Sequence, residues 1–261
     1  MNKKKMMAVL AAVGVVASGA LLGASPAAAK SSPPSCFSDC QKANLSGDKY
    51  KKSNLSYGNF SGSTLTGTSF YKANLTGANF QGASGSNPSF KGATLTNANF
   101  TKASFTNTKP ICGPGDMGAV FTKANLTDAN LTDAKMPCAV FTSTNMSGAN
   151  STKANLSGAN FKKANLTDVN FTSANLASVN FKKANLTDVN FTGANLSGAN
   201  FKKVTFTGAN FTNAYLSDVS FKKANLTDVN FTGANLEGAN LKGAKFSNTT
   251  CPDGTVTNTG C

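Results

Sequence analysis

The chain has no histidine, no tryptophan and no arginine, and only 11 of its 261 residues are acidic. Without histidine it has no side chain that titrates near neutrality unperturbed, so acid–base catalysis would fall to a few carboxylates. The same absence, with no clustered C-x-x-C, removes the common ligand sets of a zinc site, and neither a metal nor a cofactor is expected. Without arginine, two-pronged recognition of phosphate or carboxylate is excluded. Any attraction of anions rests on lysine, a point charge on a flexible stem, and is diffuse.

What is present begins with an export pattern. Met1-Asn2-Lys3-Lys4-Lys5 precedes an apolar stretch from Met6 to Gly23, and Ala27-Ala28-Ala29 follows Pro26. This is the order of a secretory leader, with cleavage expected after Ala29. An uncleaved anchor is the competing reading, because the apolar stretch is nearly long enough to span a bilayer. No cysteine follows it directly, so lipidation is not expected, and the cleaved protein is read as secreted or periplasmic/cell-surface, with no membrane attachment. Cleavage leaves 22 lysines against 11 acidic residues, a net charge of +11 that favours polyanionic partners.

Six cysteines in an exported chain read as disulfides. Of the fifteen connectivities open to six cysteines, three local pairs are favoured: Cys36 with Cys40, Cys112 with Cys138, and Cys251 with Cys261. A rigid elongated chain would hold its two ends too far apart for other pairings.

From Leu45 a large apolar residue recurs every five positions, as in Leu65, Phe70, Leu75 and Phe80. A period of five fits neither a helix nor a flat strand. A small residue stands two positions before each large one, usually with Asn between, so two inward positions alternate with three outward ones. From Phe161 to Asn240 the fives nest in a repeat of twenty, FKKANLTDVNFTSANLASVN being its first copy. Four fives per turn describe a square coil with each turn stacked on the last.

The A-N-L-x-x pattern and its Phe variant, over about residues 43 to 246, resemble the pentapeptide-repeat family. The resemblance implies an all-β fold, a right-handed quadrilateral β-helix, or β-solenoid, with the central Leu or Phe and the preceding small residue inside. The expected organisation is a leader over 1–29, an N-terminal cap over 30–42, about ten coils over 43–247 and a disulfide-bonded C-terminal cap over 248–261. At ~4.8 Å per coil the rod is about 50 Å long. A phase shift at about 106–120, around Lys109-Pro110-Ile111-Cys112-Gly113-Pro114-Gly115, reads as an inserted loop. Counting one turn down from Cys138 reaches Gly118, so Cys112 is expected to pin that loop to the next coil. The stretch from Ala83 to Pro88 keeps the phase and is expected to bulge outward.

Three outward columns carry the candidate chemistry. Lys162, Lys163, Lys182, Lys183, Lys202, Lys203, Lys222 and Lys223 start the same side of successive coils, with Lys123 and Lys242 extending the ladder. Lys72, Lys91, Lys135 and Lys153 are read as lying off it. Such a ladder fits a linear polyanion, such as a wall polymer, an acidic polysaccharide or extracellular DNA, and the competing reading is a solvated face copied by duplication. Asp168, Asp188 and Asp228 share a corner interrupted by Gly208. They are the best acidic candidates for Ca²⁺ or for the chemistry of a β-helix polysaccharide-active enzyme, although pairing with the lysines explains them as well. Thr167, Thr187, Thr207 and Thr227, with Thr172, Thr192, Thr212 and Thr232 on the next side, resemble ice-binding arrays but form single columns. The triplets such as Asn74-Leu75-Thr76 match the glycosylation pattern as a by-product of the repeat.

The role best known in the resembled family, mimicry of DNA by an acidic dimeric rod that occupies DNA gyrase, is opposed by the basic charge and the export pattern. The favoured reading is a non-catalytic exported rod that binds or scaffolds. Intact-mass measurement of the exported protein should show loss of residues 1–29 and of six hydrogens; a retained leader or free thiols would contradict this.

Overall fold

The computed structural model describes Cys36, residues 38–106, Cys112 and residues 118–261. The expected leader and most of the expected loop lie outside the described residues. Among the described residues there is no helix long and apolar enough to cross a membrane.

The backbone explains why five residues make one side. In Leu75-Thr76-Gly77-Ala78-Asn79, Leu75 N–H donates to Thr94 O of the next coil at 2.7 Å and Gly77 N–H to Thr96 O at 2.8 Å. Ala78 N–H closes a turn onto Leu75 O at 3.0 Å, and Asn79 N–H reaches back to Gly58 O of the preceding coil at 2.9 Å. The fifth amide, that of Thr76, donates to the side chain of Asn74 at 3.2 Å. All five donors are satisfied, as a wall with no helix or broad sheet to absorb them requires. The recurrent Asn is therefore a backbone partner as well as an outward residue.

Each turn places its second central residue in the left-handed region, at φ +64° for Gly77 and +57° for Asp168. Gly, Asn and Asp tolerate this conformation best, and they occupy many of these positions.

Paired residues lie twenty apart along most of the chain, as in Asn54↔Asn74 and Asn165↔Asn185, all parallel. Four sides result. The first is centred on Leu45, Leu65, Leu156 and Leu176; the second on Tyr50, Phe70, Phe161 and Phe181; the third on Leu55, Leu75, Leu166 and Leu186; the fourth on Cys40, Phe60, Phe171 and Phe191. The first three columns have ten members each, from Leu45 to Leu236, Tyr50 to Leu241 and Leu55 to Phe246, so the rod has ten coils. On the third side the wall becomes a parallel sheet of β3 (Asn185–Thr187), β4 (Thr205–Thr207), β5 (Asn225–Thr227) and β6 (Lys245–Ser247).

Inside, the second and fourth sides carry aromatic columns. Rings one coil apart stack with centroids 4.8 Å apart for Phe121–Phe141, 4.6 Å for Phe141–Phe161 and 5.3 Å for Phe161–Phe181. Across the core the two columns meet edge to face, Phe161 and Phe171 at 6.0 Å and 77°. Both geometries suit the ring quadrupole. The expected sorting into aromatic and aliphatic ladders is present.

The wall tolerates two irregularities. Ser89 pairs with Val120 and Ser104 with Lys135, 31 residues apart instead of 20, so 11 residues leave the wall between the first and second sides. The chain returns at Gly118, whose amide donates to Cys138 O at 3.1 Å and whose side-chain space is filled by Pro137 O. Cys112 and Cys138 are bonded there, and a Cβ on Gly158, one coil further on, would collide with Cys112 Sγ.

The stretch around Ala83–Pro88 does not bulge outward. Leu65 N–H and Gly67 N–H still find Ser84 O and Ser86 O, and Gly85, at φ +138°, occupies a core position against the backbone of Leu65 and Thr66. Its missing volume is balanced by Phe105, which pairs with it in β2 (Ser104–Phe105) against β1 (Ser84–Gly85).

The other two disulfides join Cys36 to Cys40 and Cys251 to Cys261. Cys40 and Cys251 take the central inward position of the fourth side in the first and last turns, and both are buried. At the first end burial and a 2.6 Å hydrogen bond to Asp48 keep the Tyr50 phenol neutral, its pKa pushed far up. At the other end an antiparallel hairpin, β7 (Thr249–Thr250) with β8 (Val256–Thr257), folds back over the rod.

A second core position breaks the pattern: Ser151 stands where the fourth side has Leu131 and Phe171 in the coils before and after, and its buried hydroxyl, like that of Ser53, has no partner among the described residues. Leaving a buried hydroxyl unmade costs about 1–3 kcal/mol. Ser151→Ala should therefore raise the unfolding free energy by about 1 kcal/mol, whereas Phe191→Ala should lower it by about 3–5 kcal/mol. Denaturant melts of both variants check this; a destabilised Ser151→Ala would mean the hydroxyl is satisfied.

Candidate functional site: a lysine stripe along one corner

The second side ends in a turn whose two central residues face solvent. In four successive coils these are Lys162-Lys163, Lys182-Lys183, Lys202-Lys203 and Lys222-Lys223, all on the surface. Lys163, Lys183, Lys203 and Lys223 take the left-handed position, at φ +62°, +64°, +60° and +59°. The coil-to-coil ladder fixes their spacing directly: Lys163 N–H donates to Lys182 O, Lys203 N–H to Lys222 O and Lys223 N–H to Lys242 O, at 3.2, 3.0 and 3.1 Å. The Phe rings beneath step by 5.3 Å from Phe161 to Phe181, 4.8 Å from Phe181 to Phe201 and 5.2 Å from Phe201 to Phe221, so the lysine backbones rise by one coil at each step.

The stripe is longer than the sequence ladder. Across the phase break the same corner holds Lys51, Lys52, Lys72 and Lys91, because Ser89 pairs with Val120 and so puts Phe90 beside Phe121. Lys72 and Lys91 thus lie on the stripe, contrary to the sequence reading, whereas Lys135 and Lys153 belong to other sides. With Lys123 and Lys242 the corner carries lysine from the first coil to the last, interrupted at Thr142-Ser143. Near its start the ammonium groups of Lys51 and Lys72 lie 5.9 and 5.4 Å from the Tyr71 ring centroid.

Like charges about 5 Å apart repel by nearly 1 kcal/mol even in water. Among the described residues no lysine ammonium comes within 4.0 Å of a carboxylate, so pairing does not relieve that repulsion. Asp168, Asp188 and Asp228 stand at the far corner of the third side, exposed and in the left-handed position. At Gly208 the Asp188 side chain leans over the space a Cβ would take, as Asp128 does over Gly148, whereas Asp188 itself follows Asp168 one coil on, so an acidic residue is tolerated at this corner. Asp228 instead accepts from the Asn248 side chain at 2.6 Å. Among the described residues no three Asp, Glu, His or Cys side chains gather as a metal site.

All of the column threonines except Thr207 hydrogen-bond to a neighbouring Asn. Thr172 Oγ1 donates to Asn170 at 2.6 Å and accepts from Asn190 at 3.2 Å, and Thr167 does the same with Asn165 and Asn185 at 2.9 Å each. Hydroxyls so engaged stabilise the outer surface. The Asn partners belong to N-L-T triplets (Asn165, Asn185) and N-F-T triplets (Asn170, Asn190). Sequence reasoning missed this Asn–Thr ladder, although the recurrent Asn with Thr two residues on was its visible signal.

Comparison with known proteins places the fold. A model for pentapeptide repeats (eight copies) matches residues 51–84, 86–109, 117–136, 136–172 and 154–193, and one for a pentapeptide repeat region matches 184–259. Among solved structures, HetL, a pentapeptide repeat protein involved in heterocyst differentiation regulation from Nostoc sp. strain PCC 7120, is 25% identical. It aligns over 83% of this chain and 92% of its own, with a TM-score of 0.35. A trypsin-treated form of QnrB1, a plasmid-mediated fluoroquinolone resistance protein, is 23% identical over 68% of this chain and 88% of its own, TM-score 0.48. A pentapeptide repeat protein of the Arabidopsis thaliana thylakoid lumen is 32% identical over 46% of this chain and 68% of its own, TM-score 0.27. No curated protein sequence matches.

A lysine in the left-handed region costs about 1–2 kcal/mol that glycine avoids, against about 0.5–1 kcal/mol of extra chain entropy lost. Lys183→Gly should therefore raise the melting temperature and Lys182→Gly should not, although both remove one charge. Equal shifts would show that charge, not backbone conformation, sets the stability of this corner.

Proposed function

Because the chain belongs to the pentapeptide-repeat family, a fold of stacked coils, we propose that it is a non-catalytic exported rod that binds linear polyanions along its lysine stripe. The observation carrying this reading is the continuity of the stripe: one corner holds lysine through nearly the whole length of the rod. Lysine copied only by recent duplication would be confined to the near-identical coils from Phe161 onward; Lys51, Lys52, Lys72, Lys91 and Lys123 lie in coils of different sequence. The three disulfides fit an oxidising compartment outside the cytoplasm. The excess of lysine favours attracting DNA or acidic polymers over imitating them.

Retention on immobilised heparin should fall steeply as salt rises, since each anionic contact releases a counterion. Changing Lys162, Lys182, Lys202 and Lys222 together to Ser should reduce the slope of log affinity against log salt by about three to four units, while leaving folding intact or improved. The control changes Lys42, Lys102, Lys135 and Lys153 to Ser, all off the stripe. Equal losses in both quadruple variants would mean that the protein is merely basic.

A further inference from the structure

One coil departs from its neighbours just where the stripe borders the third side. Residues 184–188 and 224–228 read Ala-Asn-Leu-Thr-Asp, but the coil between them reads Val204-Thr205-Phe206-Thr207-Gly208. Val204 and Phe206 enlarge two buried positions, Phe206 meeting Phe201 and Phe211 edge to face; the other changes fall on the outer surface. The Asn ladder that runs from Asn145 to Asn125, Asn165 to Asn145 and Asn185 to Asn165 stops at Thr205. Asn225 still accepts from Thr227, but its amide nitrogen has no partner among the described residues, nor have the hydroxyls of Thr205 and Thr207. Gly208 removes the carboxylate that the coils on either side carry.

Beside this break lies a shallow groove of about 400 Å³, bordered by Lys203, Lys223, Lys245, Thr205, Asn225 and Gly243. Three lysines, Thr205 and Asn225 therefore border one concavity beside the stripe, the lysine ammonium groups within reach of a ligand laid in it. Building on the polyanion reading above, we infer that this groove is a subsite for a uronate residue of an acidic polysaccharide laid along the rod.

The chemistry favours a sugar acid over a nucleic acid. A uronate carries one carboxylate for the lysines and ring hydroxyls that both donate and accept, as the Thr205 hydroxyl and Asn225 carboxamide also do. The phosphates of a nucleic acid backbone only accept. Phosphates of duplex DNA recur about every 3.4 Å along each strand and wind around its axis, so they fall out of step with a straight stripe that advances 4.8–5.2 Å per coil. Single strands are held by aromatic platforms on which bases stack, and no aromatic side chain borders the groove.

The deciding variant is Thr205→Asn, which restores the Asn ladder, takes up the Asn225 amide and leaves every charge in place. The intact protein would be titrated calorimetrically with oligogalacturonates of graded length, and separately with a short DNA duplex at the same salt. The expected result is that Thr205→Asn melts no lower than the parent, binds oligogalacturonate about tenfold more weakly and binds the duplex unchanged. Lys245→Ser should weaken oligogalacturonate binding more than Lys153→Ser does. If Thr205→Asn binds oligogalacturonate as the parent does, or if the duplex binds the parent as tightly as the uronate, the subsite is overturned while the stripe reading stands. If the parent binds neither polymer, the stripe reading fails and the subsite with it.

Discussion

The amide ladder between coils is the constraint on which everything else rests. Each side offers two donors forward and one back, and these bonds close only when equivalent residues lie directly above one another, one coil apart. A single coil is unstable: ordering twenty residues costs ~1–2 kcal/mol each, more than four large buried side chains at ~1.5–3 kcal/mol return. Stability comes from neighbours, as in other solenoids. A second consequence follows for the surface. Any residue type repeated at the coil period becomes a straight column parallel to the axis, so modest sequence bias turns into a long, ordered array of charge.

Departures from the repeat are absorbed where the wall permits. An 11-residue insertion leaves at a corner, where the ladder is already turning, and re-enters without altering the pairing beyond it. Gly85 and Phe105 exchange volume within one column, and Val replaces Ala at inward positions such as Val169 and Val189 without breaking the backbone pattern. The two ends use cysteine as a core residue: Cys40 and Cys251 fill positions that in most other coils hold Phe, while their bonds tie the flanking segments onto the stack.

Much of this is legible in the chain because the period is so regular. The inward positions and the four sides follow from counting fives and twenties, and the three cysteine pairs from their local spacing on a rod that holds its ends apart. The count fails where geometry replaces periodicity. Across the phase break the register depends on how many residues leave the wall, so the alignment of Lys72 and Lys91 with Phe161's column emerges only from the pairing of Ser89 with Val120. Gly208 reads only as a gap in an acidic ladder, but the structure shows the Asp188 side chain leaning into the space it leaves, a contact between residues twenty apart. The unpartnered Ser151 hydroxyl and the freed Asn225 amide likewise depend on what the adjacent coils do not supply.

The functional account rests on one geometrical claim, that a bound polymer lies along a single corner of the rod. Lysine acetylation followed by mass spectrometry, with and without saturating polygalacturonate, tests it residue by residue. The account predicts protection confined to the stripe, from Lys51 through Lys162, Lys183 and Lys223 to Lys242, together with Lys245 beside it, while Lys42, Lys102, Lys135 and Lys153 react as before. Uniform protection of all lysines, or protection centred on another side, would contradict it.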